Sequence, residues 1–392
     1  MSNSLHACRF RIAIMALFIV PLSGFGIDIY VPSLPSVASY FHISNALAQL
    51  TIAMYMLGYG ILQFISGNIV DSIGRKPTFT VSILIYIVAS FLIPHVQTIE
   101  QLLLLRFIQG ACVAFFQVAM RSIMPDLFTG KEFQKMTTYM IMAWSIGPII
   151  APAIGGYIEH YFGWQANFYF LGGYGVLALI VNLLFIPETL DQKKPLRLIS
   201  FLKTSKQILT HFSYLSGVLS LGLMYSIMIL FGVIASFLIQ NELHYSAIAF
   251  GHMALAMGVA WFLGNMTNHL LITVDPRRKI KVILSFMFVV ALTALIFSLI
   301  QTVNLYTLLI SSFILLYFAG LSFPIFGAHS TSIFPESKAT ANALMGVFMV
   351  SIPAISSTLA GLLKIDSQTG LAFAYVLLIS FCCVIYYLTR KI

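Results

Sequence analysis

Apolar residues run along this 392-residue chain in long, nearly unbroken blocks, with polar residues gathered in the short stretches between them. A helix needs about 20 mostly apolar residues to cross roughly 30 Å of hydrocarbon. Blocks of that length fall near 12–34, 46–70, 78–96, 101–123, 137–160 and 166–186. After a polar stretch from Pro187 to His211 they resume near 213–239, 247–272, 280–300, 304–328, 339–363 and 371–389. The pattern predicts an all-α membrane protein with 12 transmembrane helices. It divides into two six-helix bundles, residues 1–190 and 213–392, joined by a cytoplasmic linker over 191–212. No sequence repeat relates the bundles, so any symmetry between them is structural.

Composition supports the lipid-facing reading. Apolar residues make up 59% of the chain and charged residues 8%, with a mean hydropathy of +0.95. Soluble domains carry roughly 25% charged residues, so this surface must meet lipid over most of its area. The net charge of +9 does not point to nucleic acid, because the basic residues sit in clusters between apolar blocks. With both termini cytoplasmic, the connections after spans 2, 4, 6, 8 and 10 face inward. They carry Arg75 and Lys76; Arg121, Lys131 and Lys135; Lys193, Lys194, Arg197, Lys203 and Lys206; Arg277, Arg278, Lys279 and Lys281; and Lys338. Arg9, Arg11, Arg390 and Lys391 join them from the termini, and only Lys364 and Arg106 of the 21 basic residues fall elsewhere. A single miscounted span would destroy this bias. The first block follows Arg9 and Arg11 as in a signal peptide, but lacks a small-residue cleavage site and reads as an uncleaved first helix.

Four cysteines (Cys8, Cys112, Cys382 and Cys383) show no metal-ligand or disulfide spacing. No nucleophile–base pair, HExxH pattern or phosphate loop appears. An enzyme is therefore not expected, and neither a metal nor a cofactor is called for. A sensor would carry a soluble output domain, and a channel an acidic ring or filter segment; neither pattern is visible.

Ionisable residues inside apolar blocks are the most informative, since each costs about 2.5–3.5 kcal/mol at a helix centre on insertion scales. Asp28 lies in Gly24-Phe-Gly-Ile-Asp-Ile-Tyr-Val-Pro-Ser-Leu-Pro35, where glycines and prolines weaken the helix and let backbone bend or approach a ligand. A poorly hydrated cavity disfavours an ionised carboxyl, so Asp28 can carry a proton, or else be fixed to a partner as a structural lock. Arg106, in the fourth block, stays charged under nearly all conditions. It can tune that proton, orient a substrate, brace the first helix, or simply satisfy backbone carbonyls. Gln109 follows at i+3 on the same face. Tyr30, Tyr55, Phe115 and Tyr225, with Gln109, are candidate linings of an adaptable apolar cavity. His252, His269 and His329 read as satisfied interfacial residues.

Three motifs follow in order. Between spans 2 and 3 stands Gly67-Asn-Ile-Val-Asp71-Ser-Ile-Gly74-Arg75-Lys76. There Gly67 would permit close helix approach, Gly74 would turn the chain, Asp71 would place a charge near a helix end, and Arg75 and Lys76 would hold the loop at the interface. The fourth block contains Arg106, Gln109 and Gly110 as R-x-x-Q-G. The fifth contains Gly147-Pro148-Ile-Ile-Ala-Pro152-Ala-Ile-Gly155-Gly156, small residues and prolines that favour tight packing and a kink. Together they resemble the major facilitator superfamily (MFS). In that family the first motif forms a cytoplasmic gate and the third accompanies proton-coupled antiport of drugs. Asp28-Ile-Tyr-Val-Pro-Ser-Leu-Pro35, Ala151-Pro152 and Pro187-Glu-Thr-Leu190 resemble the Bcr/CflA drug-efflux group more narrowly. The chain departs from that pattern with Ser72 in the gate motif, Pro125 before Asp126 and Gln165 after Trp164.

The resemblance implies a monomer with the MFS fold, two pseudo-symmetric bundles in a bacterial inner membrane. It implies export of small amphipathic molecules by alternating access, in multidrug efflux of the bicyclomycin and chloramphenicol type. Asp28 would carry one proton per cycle and Arg106 would tune it. A dedicated metabolite or siderophore transporter of the same fold is the alternative.

Overall fold

The computed structural model describes residues 3–193, 195, 198–300, 303–362 and 367–389. The orientation signals at Lys194, Arg197, Lys364, Arg390 and Lys391 lie outside the described residues. Among the described residues every regular element is a helix. Twelve are long and apolar enough to span a membrane. They are α1 (Cys8–Tyr40), α2 (Asn45–Ile73), α3 (Arg75–His95), α4 (Ile99–Leu127), α5 (Gly130–Phe162) and α6 (Trp164–Phe185). Then follow α7 (Phe212–Glu242), α8 (Ala247–Leu270), α9 (Pro276–Ile300), α10 (Leu305–Ser332), α11 (Thr340–Leu362) and α12 (Gln368–Thr389).

All twelve expected spans are present, but the helices outrun their apolar blocks. α4 continues through Pro125 to Leu127, and α5 starts at Gly130 rather than 137. Polarity marks where hydrocarbon ends, not where hydrogen bonding ends. Lys131 and Lys135 therefore occupy the first turns of α5, and Arg121 the last turns of α4. The stretch between the bundles is also partly ordered. A linker helix, Leu198–Leu209, rests Phe201 on Phe64 with centroids 5.0 Å apart, buries Ile208, and leaves Lys203 and Lys206 exposed. The end of the molecule bearing this helix and the basic clusters is called the basic end below, and the opposite end the far end.

Helices α2, α4, α8 and α10 all begin at the far end, each with a capping side chain on its first turn. Ser44, Thr98, Ser246 and Asn304 accept from the backbone N–H groups of Leu47, Gln101, Ala249 and Thr307. Such caps satisfy donors that a helix start leaves open. The same four helices repeat one packing device. A Cβ at Gly58 would strike the Phe107 carbonyl, and one at Gly110 the Tyr55 carbonyl. In the second half Gly264 meets the Tyr317 carbonyl, and Gly320 the Trp261 carbonyl. Glycine lets the backbones approach where lipid provides no hydrophobic drive for helix association.

The halves meet along two pairs, α2 with α11 and α5 with α8. Gly60 lies against Ser351 and Gly346 against Gln63 in the first pair; Gly156 lies against Ala247 and Gly251 against Pro152 in the second. α1 and α7 are 78% and 83% buried over their apolar windows, against 56% or less elsewhere. That places them at the centre of the molecule.

Candidate functional site

α1 is not continuous. A helical segment Leu22–Asp28 gives way to a turn at Ile29 and Tyr30, a 3-10 turn Val31–Ser33, and a last segment Leu34–Tyr40. Pro32 and Pro35 withhold two backbone donors there, so the regular ladder fails just beyond Asp28. Asp28 is 6% exposed, and its Oδ2 is buried without a hydrogen-bond partner. It faces a cavity of about 30 Å³ between the halves, lined by Ile52, Pro148 and Pro152 on one side and Met228, Phe231 and Met257 on the other. That volume holds only a water molecule or two.

Arg106 is wholly buried on α4. Its Nη1 donates to Gln109 Oε1 at 3.0 Å and its Nε to the Thr51 carbonyl at 3.4 Å, while Nη2 lacks a partner. Its guanidinium carbon stands 4.3 Å from the Tyr55 ring centroid, 5.0 Å from that of Tyr30 and 5.7 Å from that of Phe168. Ring faces attract a desolvated cation, so an aromatic cage holds the charge. Among the described residues no carboxylate pairs with Arg106. Gln109 passes the network on to Ser90 Oγ at 2.8 Å. Tyr55 lies within electrostatic reach of both Arg106 and Asp28, and its hydroxyl donates to the Ser23 carbonyl at 3.2 Å.

The glycine–proline stretch of α5 is wedged between α1 and α8. A Cβ at Gly147 would come 3.1 Å from Gly24 Cα, and one at Gly155 would collide with the Ile29 carbonyl. On its other side Gly156 meets Ala247, and the Pro152 and Pro148 carbonyls approach Gly251 and Gly258. At the basic end, Gly74 takes a φ of 122°, where side chains are disfavoured, and turns α2 into α3. Arg75 is buried; it bonds Asp71 Oδ1 at 2.6 Å and Asp126 Oδ2 at 3.0 Å. Thr189 donates to the same Asp126 oxygen at 2.8 Å. Glu188 accepts from the backbone N–H groups of Arg75 and Lys76, at 3.0 and 3.2 Å.

A family model described as Major Facilitator Superfamily matches residues 16–303. The chain belongs to that superfamily. As an MFS protein it is a multi-pass membrane protein of a transporter family. It is 25% identical over 369 residues to the Bicyclomycin resistance protein homolog of Haemophilus influenzae, covering 90% of this chain and 89% of that one. It is 24% identical to Multidrug resistance protein MdtL of Shewanella oneidensis, covering 91% and 90%. These relatives agree with the resemblance to the Bcr/CflA group. The crystal structure of a bacterial homolog of the human lysosomal transporter Spinster superposes with a TM-score of 0.75 at 15% identity, covering 100% of this chain and 98% of that one. At that identity the likeness shows the fold.

Within this MFS fold the sequence-derived residues separate into distinct places. Tyr30 and Tyr55 wall the Arg106 cage instead of the cavity beside Asp28, and Gln109 is a buried member of that cage. Phe115 is half-buried on α4. Tyr225 is buried between Trp144 and Trp261, with centroids 6.2 and 6.1 Å away. Gly67 has open space beside it, so it permits no close helix approach. Arg75 and Lys76 open α3 and do not sit in a loop. The cavity's own lining, Met228 and Met257 above all, carries no sequence mark, because an unbranched apolar residue looks the same facing lipid or a chamber. Pro187-Glu-Thr-Leu190 gains a concrete part: its Glu188 and Thr189 tie the stretch after α6 to the start of α3 and the end of α4 at the basic end.

Proposed function

We propose that this MFS protein exports small amphipathic compounds in exchange for protons, by alternating access of a central site between its two halves. The relatives' names, bicyclomycin resistance and multidrug resistance, support the cargo class. The observation that carries the coupling is Asp28: an unpaired carboxyl oxygen, buried at the break of the central helix, beside a cavity bounded by both halves. A buried carboxyl without a cationic partner binds and releases a proton as its hydration changes. Arg106 acts on it across Tyr55, as a fixed charge within the same half. Pro148 and Pro152, which line the same cavity as Asp28, belong to the stretch that packs against α8, so motion between halves is felt at the carboxyl. In this reading the basic end faces the cytoplasm of a bacterial inner membrane, with both termini inside.

The test is transport in inside-out vesicles with a pH-sensitive dye and a panel of neutral, cationic and anionic compounds. Compound-dependent proton release from acid-loaded vesicles is the expected result. Compound movement indifferent to the proton gradient would overturn the coupling.

A further inference from the structure

A second interior carboxyl lies at the far end, away from the Asp28 cavity. Glu159 is half-buried near the end of α5, on the same cleft as Ser36 of α1. Its Oε2 is buried without a partner. It borders a polar cleft of about 440 Å³ that draws on both halves: Ser36 and Ser39 of α1 face Gln240, Asn241 and Tyr245. Among the described residues no basic side chain pairs with it.

The ionisable groups around it are few. His160 follows it on α5, and Tyr30 of α1 lies within its electrostatic reach. From the second half come Glu242 at the end of α7, His244 and Tyr245 in the next connection, and His252 of α8, whose Nε2 is 3.2 Å from the Tyr157 hydroxyl. α6 contributes Asn167, which donates to Ser33 Oγ at 2.8 Å.

Glu159 thus shares its cleft with the segment of α1 just past the break that follows Asp28. That segment also joins the halves, since Gln240 donates to the Pro32 carbonyl at 3.0 Å. Shutting this seam over an ionised carboxyl removes its water without supplying a counter-charge, whereas a neutral carboxylic acid costs far less to cover. We propose that Glu159 is a second proton-binding site, loaded from the far side, whose occupancy favours closure of the seam between the halves there. The proton enters and leaves through the same cleft, so it gates the cycle without adding to the one carried by Asp28. The inference rests on the alternating-access reading and on the far end facing outward.

The test uses the full-length protein in intact cells and a membrane-impermeant maleimide. Single cysteines replace Asn241 in the cleft and Tyr161, which is 67% exposed at the same end. The ratio of the two labelling rates removes the reagent's own pH dependence. As the external pH is raised through the titration of Glu159, the ratio is expected to rise severalfold in the parent. In Glu159→Gln it should stay at its low-pH value throughout. The rise should persist in Asp28→Asn, which separates this proposal from the coupling role of Asp28. A flat ratio in the parent, or an undiminished rise in Glu159→Gln, overturns the proposal. Failure of Tyr161→Cys to label from outside overturns the orientation and the proposal with it.

Discussion

Gly155 of α5 lies so close to the Ile29 carbonyl that a methyl group at 155 would overlap it, one residue beyond the proposed proton carrier. The glycine thus fixes the backbone at the break of α1. Its neighbour Gly156 points the other way, onto Ala247 of the second half. Gly155→Ala should displace α1 from α5 within one bundle, at an overpacking cost of about 1–3 kcal/mol. Gly156→Ala strains only the contact between bundles. Both should lose transport, but thermal melting of the purified protein should fall more for Gly155→Ala, whose clash persists in every state. Equal melting losses would contradict this division.

Asp28→Asn removes the titrating group while keeping side-chain volume. The variant is expected to insert and fold normally, since Asp28 Oδ2 has no hydrogen bond to lose. For a neutral cargo exchanged against one proton, the membrane potential supplies about 2.3 kcal/mol per 100 mV. That sustains roughly a fortyfold concentration ratio. Asp28→Asn should forfeit it, leaving at most downhill movement in proteoliposomes. Uphill accumulation driven by an imposed potential in this variant would dismiss Asp28 as the carrier.

How much of this was legible beforehand follows from what each residue type must do in lipid. The twelve spans and the two buried charges were readable, because an apolar block and an intramembrane ion have few interpretations. The α1 break was readable from its glycines and prolines. The company each charge keeps was not. Asp28 and Arg106 look like partners in a linear reading, yet Arg106 turns into a cage of Tyr30, Tyr55 and Phe168 on its own side of the bundle. Tertiary packing alone decides whether an aromatic faces a cavity or a cation. The internal symmetry was also hidden: Gly58 and Gly110 correspond to Gly264 and Gly320 by the job each does against a carbonyl, within sequences that otherwise differ. Gly67 shows the reverse, a motif glycine with nothing packed on it.

The Arg106 cage makes a specific demand of its occupant. Lysine would retain charge but could not hold both Gln109 Oε1 and the Thr51 carbonyl from one fork. Arg106→Lys should therefore cost about 1–3 kcal/mol of stability by leaving buried acceptors unmet, and should slow transport even where the protein is recovered. Gln109→Ala should slow it less, because Arg106 keeps its rings. Proton-coupled transport in Arg106→Lys at the parental rate would reduce Arg106 to a space-filling cation.

At the basic end Glu188 and Asp126 should behave differently from the half-buried Lys76 beside them. Glu188 covers the first backbone N–H groups of α3 with a full negative charge, a favourable placement at a helix start. Glu188→Ala should cost about 1 kcal/mol, read as faster amide hydrogen exchange at Arg75 and Lys76. Asp126→Asn leaves the buried Arg75 guanidinium with Asp71, which is more exposed, as its remaining carboxylate among the described residues. Its effect should be larger and should spread to the Thr189 segment, which Asp126 holds. Lys76→Ala removes only an exposed bond to the Leu183 carbonyl and should change exchange little. If Lys76→Ala matched Asp126→Asn, the cluster would be held by general attraction between the loop and the membrane surface, and the Arg75–Asp126 contact would have no particular part in closing that end.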